Sequence, residues 1–188
     1  MYNLLLNKLP QYTPSGLRIR TDFRESIKFE LLMQDNTIDN KTKIQLALDL
    51  YYDKIDNVQD AINDMLWFFS CNSINKTSEE KKDNKKEHSK QIYSYEFDDK
   101  YIYSAFMEQY KIDLNSIKYL HWWKFKALMD NLGENTQFVK IMGYRSIDLS
   151  KIKDKEEKAR YKRLKKLYAL PDMRTTEQKE ADFGKAFW

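Results

Sequence analysis

The sequence predicts an all-α protein, six to seven short helices packed as a helical bundle with a polar, charged loop in the middle. Three observations carry that prediction. The 188 residues include only 4 Gly and 3 Pro, too few for the many turns of an all-β chain. Apolar residues recur at the i, i+3, i+4, i+7 spacing of amphipathic helices in segment after segment. No alternating apolar run is flanked by hairpin turn residues, and no internal repeat of fixed period occurs.

Residues 1–20 hold two of the prolines and Gly16 and read as an extended lead-in. A first helix opens at TDFRESIKFELLMQD, with Asp22 as N-cap and Glu25 at capping-box spacing. Phe23, Ile27 and Leu31 share one face. A second helix starts near Asn40, with Ile44, Ala47, Leu48, Tyr51 and Tyr52 as its stripe. A third runs through NVQDAINDMLWFFSC, where Val58, Ala61, Ile62, Met65, Leu66 and Phe69 form a stripe that must be buried. These helices make residues 1–71 an N-terminal three-helix segment.

Residues 72–91, NSINKTSEEKKDNKKEHSKQ, carry six lysines and four acids with little apolar content, a solvated linker or loop. Residues 92–171 form a second helical segment. Asp98 is the expected N-cap of a helix marked by Ile102, Ala105, Phe106 and Gln109. A longer helix is expected over IDLNSIKYLHWWKFKALMDNLG, ended by Gly133 in a left-handed cap. A short one follows in NTQFVKIMG, with Thr136 near its start and Gly143 just past its end. The last, KDKEEKARYKRLKKLYALP, is basic and amphipathic, with Tyr161, Leu164 and Tyr168 as its seam and Pro171 as its stop. Residues 172–188 are a tail in which Phe183, Phe187 and Trp188 fall on one helical face.

Charge is unevenly distributed. The net +4 resolves into −2 over residues 1–71, −1 over 72–117 and +7 over 118–188. The basic third invites an acidic partner, nucleic acid or protein. The single cysteine, Cys71, cannot form an internal disulfide, which fits a reducing compartment. The opening MYNLLLNKLP reads as neither a signal peptide nor a membrane span. No Gly-rich phosphate loop, zinc-binding pattern or Ser/His/Asp spacing is present. The expectation is therefore no catalytic residue, no metal, no cofactor and no enzyme.

Of the two histidines, His121 reads as structural and His88 lies in the polar loop. Trp122 and Trp123 are adjacent on a helix and point about 100° apart. Each buries ~150–250 Å² when internal, so both fit a core. A partner-binding surface and a base-stacking platform with Lys124 and Lys126 are the alternatives. From Lys151 to Lys166, nine Lys/Arg face three acids. Glu156 and Glu157 partly neutralise that helix, which favours a solvated face or protein contact over a phosphate reader.

The block LHWWKFKALMDNLGENTQFVKIMGYRSIDLSKIKDKEEKARYKRLKKLYALP resembles the Gp-fifteen type family of siphophage proteins, found in phages and prophages of Gram-positive bacteria. TDFRESIKFELLMQD and YSYEFDDKYIYSAFMEQYKIDL resemble the same family's earlier motifs. The resemblance implies a non-enzymatic tail assembly chaperone that binds the tape-measure protein and the major tail protein, acting in the cytoplasm of the infected or lysogenic bacterial host. Self-association is a further expectation, and a membrane partner is not expected. Partner-contact candidates are Trp122, Trp123, Arg145, Lys162, Lys165 and Lys166. For Arg145 a salt bridge or helix-end cap is the alternative. Two other readings stand beside the chaperone: a basic helical nucleic-acid-binding module, and a structural connector of the virion.

Overall fold

A computed structural model describes residues 3–72 and 91–172. Among them are seven α-helices and no sheet: α1 (Phe23–Gln34), α2 (Asn40–Tyr51), α3 (Val58–Phe69), α4 (Asp99–Tyr110), α5 (Trp122–Asp130), α6 (Gln137–Ser146) and α7 (Lys155–Leu167). The all-α bundle read from apolar spacing is the fold.

Most helices begin where a short polar side chain takes up free backbone N–H groups. Asp22 accepts from Arg24 N, Asp39 from Lys41 N and Thr42 N, Asn57 from Gln59 N and Asp60 N, Thr136 from Val139 N, and Asp154 from Glu157 N. The capping box at α1 does not form: the Asp22 side chain accepts from Arg24 N rather than Glu25 N, and Glu25 pairs forward with Lys28 at 3.1 Å. Asp98 stands at the N-cap position of α4 but caps nothing there; its carboxylate is turned inward.

The lead-in is more ordered than an extended strand. Asn3 and Asn7 close a turn through Asn7 N–Asn3 O (2.9 Å) and Asn3 N–Asn7 Oδ1 (2.8 Å). Tyr12 and Arg18 form an antiparallel bridge around Gly16, whose φ of +83° favours glycine.

Three boundaries differ from the sequence expectation. Residues 112–121 are not helical. Asp113 draws the chain into a turn by accepting from Asn115 N and Ser116 N. Residues 120–122 then pair antiparallel with 21–23, through Phe23 N–Leu120 O (2.9 Å) and Trp122 N–Thr21 O (2.8 Å). Gly133 is not a left-handed cap, because α5 already ends with Asn131 as C-cap. Gly133 donates its N–H to Gln109 Oε1 at 2.7 Å instead. Gly143 lies inside α6, which continues to Ser146.

The core joins residues from both helical segments. Phe125 stacks on Phe23 and Phe106, with centroids 4.8 and 5.1 Å away. α3 is rotated from its predicted face: Val58 and Leu66 are exposed, while Ala61, Asp64, Met65 and Phe68 are buried. Asp64 turns inward to accept from Ser15 N at 3.3 Å. On α2, Ile44 is likewise exposed rather than in the stripe. The expected aromatic face of residues 183–188 and nearly all of the charged loop lie outside the described residues.

Candidate partner-binding surfaces

The two tryptophans lie in the core, 1% exposed each. Their indole N–H groups complete the C-terminal end of α3: Trp122 Nε1 donates to Phe69 O at 2.8 Å and Trp123 Nε1 to Phe68 O at 2.7 Å. Carbonyls at a helix end have no partner within the helix, so each indole supplies a bond as well as apolar area. Trp122 stacks on Phe69 (5.4 Å, 10°) and Trp123 meets Trp67 edge-on (5.3 Å, 62°). Neither presents a face to a partner or a base in this fold.

His121 explains why α5 starts so abruptly. It is the N-cap, with Nδ1 accepting from Trp123 N at 3.1 Å. Nδ1 therefore carries no proton, and Nε2 donates to Pro10 O at 2.9 Å. The bond accepted by Nδ1 requires the neutral ring, and burial pushes the His121 pKa below its usual value, outweighing the bond to Pro10 O, which acts the other way.

Arg145 sits at the junction of three segments. Its guanidinium donates to both oxygens of Asp98, at 2.6 and 2.9 Å, to Ile92 O at 3.0 Å and, through Nε, to Tyr168 O at 2.6 Å. Asp98 is fully buried and also accepts from Ser94 N at 2.9 Å. The planar fork of arginine fits this bidentate geometry. The structure places Arg145 as an internal clasp holding α4, α6 and the end of α7 together, with its charge consumed by Asp98.

Besides the exposed leucines of the lead-in, Leu5 and Leu6, two surfaces among the described residues bear on partner binding. One is a mainly apolar groove of about 500 Å³ whose lining includes Ile27, Ile102, Tyr103, Leu114 and Phe125, with the polar Asp99, Lys100 and Asn115 also on its wall. It lies between α1, α4 and α5, and the non-helical segment 112–121 supplies Leu114 and Asn115 to its wall. Tyr103 and Met107 of α4 are 39% and 38% exposed. None of these residues was a sequence candidate for a partner surface; Ile27 and Ile102 were read only as parts of the apolar faces of their helices. The available signal was the pair of aromatics, Tyr101 and Tyr103, lying off the apolar stripe of α4.

The other surface is α7, which has no buried residue. Lys162 and Lys166 are exposed, whereas Lys165 bends back to donate to Ile147 O at 2.6 Å. The six sequence candidates are thus not one site: three are internal, and three lie along α7.

No group of three or more His, Cys, Asp or Glu side chains suited to a metal occurs among the described residues. Burial pushes the Cys71 thiol up to about 12, so it is not an activated nucleophile. No helix among the described residues is long and apolar enough to cross a membrane.

An all-α chain whose polar interior is spent on structure and whose open surfaces include a groove and a basic helix belongs to the class of helical proteins without a recognisable catalytic constellation among its described residues. The family model "Bacteriophage Gp15 protein" matches residues 5–170, and the chain belongs to that family. It is accordingly a bacteriophage protein of the structural and assembly kind. No curated protein and no solved structure matches it.

Proposed function

We propose that this protein is a non-enzymatic tail assembly chaperone that binds the tape-measure and major tail proteins in the host cytoplasm. The observation that carries the reading is the uncovered apolar groove between α1, α4 and α5 in a member of the bacteriophage Gp15 family. An amphipathic helix recognised in a groove buries side chains at i, i+3, i+4 and i+7. A tape-measure protein, long and helical, offers such faces repeatedly. Exposed Tyr103 and Met107 supply adaptable apolar contact beside the groove.

A tagged pull-down from cells in mid-infection tests the reading. Tape-measure and tail-tube proteins are expected in the eluate with a protein-like 260/280 nm absorbance ratio, and Tyr103→Glu is expected to remove them while leaving the protein folded. Recovery of nucleic acid without tail proteins would replace the chaperone by a nucleic-acid-binding module. Presence of the protein in purified virions would replace it by a structural component.

A further inference from the structure

We propose that the outward face of α7 is a docking site for an acidic helical segment of a partner protein, whose carboxylates at three- and four-residue spacings meet Lys155, Lys158, Lys162 and Lys166. The proposal stands on α7 alone and does not depend on the groove or on the tail assembly reading.

The orientation of α7 is set from its inner side. Tyr144 of α6 meets Tyr161 and Tyr168, with centroids 6.3 and 5.8 Å away. Lys165 is tied to Ile147 O, and Arg145 holds Tyr168 O. At 100° per residue, Lys155, Lys158, Lys162, Arg163 and Lys166 then fall within an arc of about 140° on the opposite side. All five are exposed. No ion pair among the described residues neutralises any of them. Glu156 only borders the stripe.

This arrangement costs the free helix stability. Like charges at i, i+3 and i+4 destabilise a helix by roughly 0.2–0.5 kcal/mol per pair. Four such pairs occur here: 155/158, 158/162, 162/166 and 163/166. Lys155 also lies in the first turn of α7, where the helix dipole disfavours cations, whereas Lys166 lies in the last turn, where it favours them. A partner that brings carboxylates relieves the repulsion on binding, so the cost is recovered in the complex.

The stripe from Lys155 to Lys166 is about 16 Å long. A second α-helix has the same rise per residue, so acids at matching spacings stay in register along it. Leu167, 73% exposed one residue past the stripe and about 40° outside its arc, adds an apolar contact at the flank suited to a protein partner. A nucleic acid finds less here. The tyrosines of α7 face α6, leaving no aromatic on the outward face for base stacking.

The test uses the full chain and fluorescence anisotropy at about 50 mM salt, where charge-driven binding is strongest. The probes are a labelled helical peptide with Glu at the complementary spacings and a Leu opposite Leu167, a scrambled peptide of equal charge, and a single-stranded DNA oligonucleotide. The patterned peptide is expected to bind about tenfold or more tighter than the scrambled one. Lys162→Glu/Lys166→Glu should weaken it by a similar factor without lowering the urea midpoint, since both side chains are exposed and the 158/162 and 163/166 repulsions become attractions. Absence of peptide binding, equal binding of both peptides, or tighter binding of the DNA would each overturn the proposal.

Discussion

Replacing Arg145 by methionine removes four donated hydrogen bonds in one step: two to Asp98, one to Ile92 O and one to Tyr168 O. Asp98, fully buried, is left as a charge with Ser94 N as its remaining donor among the described residues. Breaking a buried pair by deleting one partner costs about 3–5 kcal/mol. At roughly 2–4 °C per kcal/mol for a chain of this size, the melting temperature should fall by about 6–20 °C. Arg145→Lys keeps the charge without the fork and should fall between. Urea unfolding followed by tryptophan fluorescence provides the assay, since Trp122 and Trp123 are internal. The double variant Arg145→Met/Asp98→Leu should regain a large part of the loss, because the orphaned carboxylate has gone. A single variant within ~1 kcal/mol of wild type would refute the clasp, as surface pairs are worth that little. So would a double variant whose loss equals the sum of the two singles, since coupled partners do not add.

Further predictions follow from the core and the groove. The His121 pKa is depressed in the fold by burial, so its contribution is fully present above the unfolded value near 6.5 and is lost as pH falls through the lower folded value. The urea midpoint should drop on acidification, and drop less in His121→Asn, which keeps a capping oxygen. Trp123→Phe deletes the bond to Phe68 O and leaves a void, and should cost about 1–3 kcal/mol by the same unfolding assay. Phe68→Ala should cost about 3–5 kcal/mol, whereas Leu66→Ala, on the exposed side of α3, should stay within about 0.5 kcal/mol. Tyr103→Glu should leave the melting temperature within a few degrees of wild type while removing tail proteins from the pull-down.

The all-α class and the seven helices follow from local information: scarce glycine and proline, apolar spacing, and polar residues at helix starts. Asp22, Thr136 and the basic helix from Lys155 were readable because capping and periodicity act within a few residues. The start of α5 was not readable. Leu120 to Trp122 pairs with residues about 100 positions earlier, and no window along the chain contains both partners. The face of α3 was misjudged for the same reason: periodicity defines a stripe, but Asp64 and its distant partner Ser15 set which edge of it turns inward. Arg145 and Asp98 each looked like a local terminal residue, one a helix-end candidate and the other an N-cap. Only their approach to 2.6 Å across the fold made them a single buried group and withdrew Arg145 from the surface. The groove is likewise a product of tertiary packing, because its wall joins α1, α4 and α5 with the non-helical segment 112–121. Short-range physics determines which helices form, while long-range pairing decides where each begins, which face it buries and which surface remains open.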